Sequence, residues 1–106
     1  MKITIEVPDK HIDGALAEPH SKYWASEARW DPKKREGHVV EVDSDRDSDD
    51  VKQITHTLNV HALKSGLALL AAKSPRAFAM LLSGDYDGLT GDLLLQLMAL
   101  GEIKYS

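Results

Sequence analysis

The chain opens on an alternation, Ile3, Ile5 and Val7 against Lys2, Thr4 and Glu6. A period of two sends apolar side chains to one face of a strand, so Lys2 to Val7 reads as a first strand. Pro8-Asp9 then offers a helix start, and Ile12, Ala15 and Leu16 recur at helical spacing until Pro19 forbids continuation. Gly14 weakens that short helix. Tyr23 to Trp30 fits either period, but the polar turn Asp31-Pro32-Lys33-Lys34-Arg35-Glu36-Gly37 and the β-branched His38-Val39-Val40-Glu41-Val42 that follow it favour a hairpin. After the acidic stretch Asp43 to Asp50, which reads as a solvated loop, Ile54, His56 and Leu58 alternate in a further strand from Lys52 to Leu58.

From Asn59 onward the period changes. Asn59 is a helix cap, and Val60, Leu63, Leu67 and Leu70 form one stripe of a helix reaching Lys73, with Ala62 and Leu69 on the opposite side. That helix is expected to touch two neighbours. Ser74-Pro75 starts a second helix carrying Phe78, Leu81 and Leu82 as far as Gly84. Thr90 or Asp92 opens a last helix, in which Gln96 is nearly the sole polar residue among Leu93, Leu94, Leu95, Leu97, Met98 and Leu100. Gly101 ends it, and Glu102 to Tyr105 reads as a short edge strand. The expected architecture is a single α+β domain over residues 1–106, a small N-terminal antiparallel sheet of three or four strands packed against a C-terminal cluster of about three helices.

A helix apolar all round needs cover all round, and a chain of 106 residues has few elements to supply it. Leu93, Leu94, Leu97 and Met98, with Leu69 from the preceding helix, are therefore expected to form the interface of a homodimer.

Composition narrows the chemistry. The chain has no cysteine, which excludes disulfides, thiolate metal sites and cysteine nucleophiles. No apolar run has the length of a membrane span or a signal peptide, so a soluble cytoplasmic protein without membrane contact is expected. The net charge is −4, with 13 acids against 9 bases in residues 1–58 and four of each thereafter. That balance argues against a nucleic-acid partner, whose phosphates need clustered Lys and Arg.

Asp43, Asp45 and Asp47 have the first spacings of a calcium loop, but Ser48 stands where its glycine belongs and Ile54 where its bidentate glutamate belongs. His11, His20, His38, His56 and His61 include no i, i+4 pair, although His56 and His61 straddle a strand-to-helix junction. Neither set predicts a metal, and no cofactor is expected. Gly84, Gly88 and Gly91 lack the lysine and the preceding strand of a phosphate loop, and no serine is spaced as a nucleophile elbow. The best small-ligand candidate is the aromatic and basic hairpin, Tyr23, Trp24 and Trp30 beside Arg29, Lys33, Lys34 and Arg35, where rings stack a base and cations hold its phosphate. Its plainer reading puts the tryptophans in the core and leaves the bases to solubilise a turn.

The runs Ala62-Leu63-Lys64-Ser65-Gly66-Leu67, Pro75-Arg76-Ala77-Phe78 and Gly91-Asp92-Leu93-Leu94-Leu95-Gln96, followed by Leu100-Gly101-Glu102-Ile103-Lys104-Tyr105, resemble a group of small phage and prophage proteins. The Tyr23-Trp24 pair ahead of a strand is similar to the same group. The resemblance covers chiefly residues 60–106, weakly residues 1–30, and not the Asp43–Asp50 loop. It implies a mobile element expressed in a bacterial cytoplasm, and no mechanism. Three functions follow in order: an accessory protein that binds a host protein and modulates host machinery or defence, a protein that binds or sequesters a small anionic ligand or nucleotide, and last an enzyme, for which no catalytic spacing survives.

Overall fold

The computed structural model describes residues 6–44 and 51–105. They form α1 (Asp9–Ala17), β1 (Ala25–Asp31), β2 (Glu36–Ser44), β3 (Val51–Leu58), α2 (Val60–Lys73), α3 (Pro75–Ser83) and α4 (Gly88–Leu100). The three strands make one antiparallel sheet in the order β1-β2-β3. The α+β class and the sheet-then-helices order agree with the sequence reading. The first strand and the Asp43–Asp50 calcium comparison fall largely outside the described residues.

The β1–β2 hairpin closes where the turn residues predict. Asp31 accepts through its side chain from the backbone N–H groups of Lys33 and Lys34, and through its carbonyl from that of Arg35. Arg35 takes the left-handed conformation, φ 55°, which turns the chain back into β2. On β2, Val39 and Glu41 lie two residues apart and are both buried, so one inner position of the sheet holds a carboxyl. On β3, Leu58 is buried, His56 half-buried and Ile54 exposed, so the alternating face passes out from under the helices.

The helices form where the caps predict. The Asn59 side chain accepts from the Ala62 N–H at the start of α2, and Pro75 occupies the first turn of α3. α2 packs against both α3 and α4. Gly84 ends α3 in the left-handed conformation, as Gly101 ends α4.

Two features differ from expectation. α4 begins at Gly88, earlier than Thr90 or Asp92, because the Asp87 side chain caps it by accepting from the Thr90 N–H and hydroxyl. The stretch 102–105 is not a strand; its backbone bonds to the Gln96 side chain instead of a sheet edge.

The core contains Trp24, Val39 and Leu58 from the sheet side and Ile12, Leu63, Leu70, Leu81, Leu94 and Leu97 from the helices. α1 lies against α4 closely enough that a side chain at Gly91 would strike the Ala15 carbonyl. Gly14, which weakens α1 as an isolated helix, admits the Tyr86 ring here.

Candidate functional site

The aromatic and basic hairpin does not assemble into one site. Trp24 is fully buried, and its indole N–H donates to Asp92 at 2.6 Å. Trp30, near the far end of β1, is half-buried against the core, with its N–H donating to Asp13 at 3.0 Å. The Arg35 guanidinium covers the Trp30 ring at 5.4 Å and pairs with Asp13 and Asp9. Arg29 pairs with Glu27. Lys33 and Lys34 are exposed at the turn, so the two remaining cations are not joined to a free aromatic face. Tyr23 is 57% exposed, but its hydroxyl is committed to Asp92.

Sequence reasoning missed the residues around which these aromatics are organised. Asp92 and Gln96 stand one turn apart on α4, both buried. Asp92 accepts from Trp24, from the Tyr23 hydroxyl and from Gln96. Burial pushes the Tyr23 phenol up to about 12, and its bond to the Asp92 carboxyl adds to the effect. Gln96 donates to the Tyr105 carbonyl at 2.9 Å and accepts from the N–H groups of Lys104 and Tyr105. A single amide thus holds the chain after α4, and the Tyr105 ring stacks on Trp24, 5.5 Å between centroids. The readable signal was the polar pair itself, at i and i+4 inside an apolar helix.

A second buried carboxyl completes this arrangement. Glu41 takes the Tyr105 hydroxyl at 2.5 Å, Lys104 at 3.0 Å and His56 Nε2 at 2.9 Å. Burial alone pushes its carboxyl up, but the hydrogen bonds from Tyr105, His56 and Lys104 outweigh it and hold the group down to about 2. Lys104 is correspondingly raised by Glu41. Each carboxyl accepts from three donors of the same chain, which suits a clasp that fixes Lys104 and Tyr105 better than a reacting centre.

The other histidines are dispersed. His11 Nδ1 lies 2.9 Å from the Leu81 carbonyl, while His61 is exposed on α2. No cluster of three or more His, Cys, Asp or Glu side chains able to hold a metal occurs among the described residues.

The proposed dimer surface is displaced as well. Leu94, Leu97 and Met98 are buried within the chain, and Leu69 and Leu93 are half-buried. The sequence argument undercounted the cover, because α4 contacts α1, α2, α3 and β3. No described helix is long and apolar enough to cross a membrane.

What the described residues leave open is a groove of about 730 Å³ between α1 and α2, with Phe78 of α3 also lining it. Val7 and Ile12 line one side, and Val60, Leu63, Leu67, Ala68 and Ala71 of α2 the other. Glu6, Asp9, Arg35 and Lys64 are the charged residues that line it. Its size is that of a ligand site, and its walls are mainly apolar with few polar groups. Leu63 and Leu67 belong to the stripe read from the sequence, but the gap between helices that makes them a wall does not follow from periodicity. No protein-family model, curated protein or solved structure matches the chain.

Proposed function

We propose that the chain is a non-enzymatic accessory protein of a phage or prophage that binds a host protein, modulating host machinery or defence, and that the groove between α1 and α2 is where the partner docks. The groove carries this reading. Apolar surface of this kind is costly to leave to water, and contiguous exposed apolar surface marks binding sites. Asp92 and Glu41 are buried and each already accepts from three donors of the same chain, which supports a structural role for both and so binding over catalysis. The sequence resemblance supplies the setting.

A photo-crosslinking residue placed at Ala68, which is exposed and lines the groove, tests the reading in cells of the host. The same residue at Gln53 on β3 serves as the control. The expected result is one discrete product from position 68, absent from position 53 and lost when Leu67→Asp is added. Identical products from both positions, or none at all, would refute it.

A further inference from the structure

We propose that residues 102–105 are a displaceable strap, and that the cradle beneath them recognises a Lys-Tyr pair in an extended segment of a partner protein. The groove plays no part in this inference. The strap is attached as a bound peptide is attached. Residues 102–105 are neither helix nor strand, and among the described residues no backbone-to-backbone hydrogen bond joins them to the rest of the chain. The hydrogen bonds that hold them come from the side chains of Gln96, Glu41 and Tyr23. Letting go of them therefore unravels no ladder. Gly101, left-handed at φ 73° and with open space where a side chain would stand, is a hinge at the root of the strap. Glu102 and Ile103 are exposed, so the grip falls on Lys104 and Tyr105.

The cradle defines its ligand. Gln96 reads the backbone: its carbonyl accepts from the Lys104 and Tyr105 N–H groups at 3.0 and 2.9 Å, and its amide donates to the Tyr105 carbonyl at 2.9 Å. These contacts fix the path of a chain and leave its sequence free, except that proline lacks the N–H. Sequence is read by Trp24 and Glu41. The Trp24 indole stacks on the Tyr105 ring with only 8° between their planes. A single oxygen of the buried Glu41 carboxyl takes both the Tyr105 hydroxyl and the Lys104 ammonium, and Asp43 lies 3.5 Å from that ammonium. An acidic residue in place of the lysine would set a second negative charge against Glu41, and a smaller side chain in place of the tyrosine would leave Trp24 uncovered.

Each of these contacts is available to any Lys-Tyr segment, and none of them uses the link to α4. That link raises the local concentration of the strap and makes it the resting occupant. A partner takes the cradle by presenting the same pair with further contacts of its own.

The probe is the peptide acetyl-Glu-Ile-Lys-Tyr-amide, titrated into the ¹⁵N-labelled full chain. In Lys104→Ala/Tyr105→Ala, whose strap has lost both recognised side chains, it is expected to shift the Trp24 indole N–H resonance. Its affinity there is expected to be at least about tenfold higher than for the parent, where the strap competes. In the parent, saturating peptide is expected to move the Lys104 and Tyr105 amide signals to random-coil positions while those of α4 stay in place. The same peptide with Glu in place of Lys is expected to bind about tenfold more weakly, and one with Ala in place of Tyr to leave Trp24 unshifted. Lys104→Ala alone, at an exposed residue, serves where the double variant does not fold, with the same order of affinities expected.

A Trp24 signal that ignores millimolar Lys-Tyr peptide overturns the proposal, as does equal binding of the Lys and Glu peptides. So does a strap that stays in place in the parent at peptide saturation. A parent of doubled mass that becomes single in Tyr105→Ala would give the cradle to the strap of a second copy, and overturns the partner reading.

Discussion

Glu41 occupies a position where the alternation of β2 favours an apolar side chain, and the chain keeps it there with three donors. A folded value of about 2, below the ordinary 4.5, makes the carboxylate form stabilising. The gap corresponds to roughly 3 kcal/mol. Because the value is depressed, this contribution is fully present above about pH 4.5 and is lost as pH falls towards 2. Urea unfolding of Glu41→Gln is expected to show a loss of about 2–3 kcal/mol at pH 7 and a smaller additional loss at pH 3 than the parent suffers. Equal acid sensitivity in the two proteins would place the pH dependence elsewhere. Asp92 acts on the same scale by a different route. Asp92→Ala leaves the Trp24 N–H without its acceptor inside the core, and is expected to cost about 3 kcal/mol and to shift the Trp24 emission. Unchanged emission and stability would show that Trp24 does not depend on this bond.

At the scale of elements, the contact between the helices α1 and α4 is a demanding one, because backbone meets backbone there. A side chain on Gly91 would run into the Ala15 carbonyl at 2.1 Å, whereas one on Gly66 meets first the Met98 Cγ, which can turn aside, with the α4 backbone no nearer than 3.1 Å. Gly91→Ala is therefore expected to destabilise by about 2–3 kcal/mol and Gly66→Ala by clearly less, both read from chemical denaturation. Equal costs would mean that α1 can shift to make room. The same elements show what the sequence made legible. α2 and α3 were read correctly because their starts are written in local chemistry, Asn59 on one and Ser74-Pro75 on the other. The hairpin was legible because Asp31 to Gly37 admits little besides a turn. The stretch 102–105 was misread because its fate depends on Gln96, a long-range partner that periodicity does not register. Trp24 looked like a ligand platform for the same reason: nothing near it in sequence announces Asp92, 68 residues away. The groove was invisible altogether, since it arises from the distance between two helices and not from a property of either.

At the scale of the whole molecule, the question is whether one chain covers its own apolar surface. The sequence argument for a dimer counted the sides of α4 and found too few neighbours. In the fold α1, α2, α3 and β3 all reach α4, and Leu94, Leu95, Leu97 and Met98 are buried without a second copy. Among the described residues, the large apolar side chains that stay exposed belong to different elements: Val60 on α2 lines the groove, while Tyr23 before β1, Ile54 on β3, Leu89 on α4 and Ile103 beyond it stand apart from it. Isolated apolar residues of this kind are ordinary on a soluble surface and do not sum to an interface. The extended apolar feature among the described residues, the groove, has Lys64 near the middle of its α2 wall, and two-fold pairing of α2 with itself would bring two lysines together. The protein is therefore expected to be monomeric at tens of micromolar, with light scattering giving a mass near 11.7 kDa at both low and high salt. High salt is the more searching condition, because it screens the repulsion between two Lys64 side chains and between two copies of net charge −4 while leaving apolar association intact. A mass near twice that value under either condition would return the interface to the molecule, and its loss in Ala68→Arg would locate it in the groove.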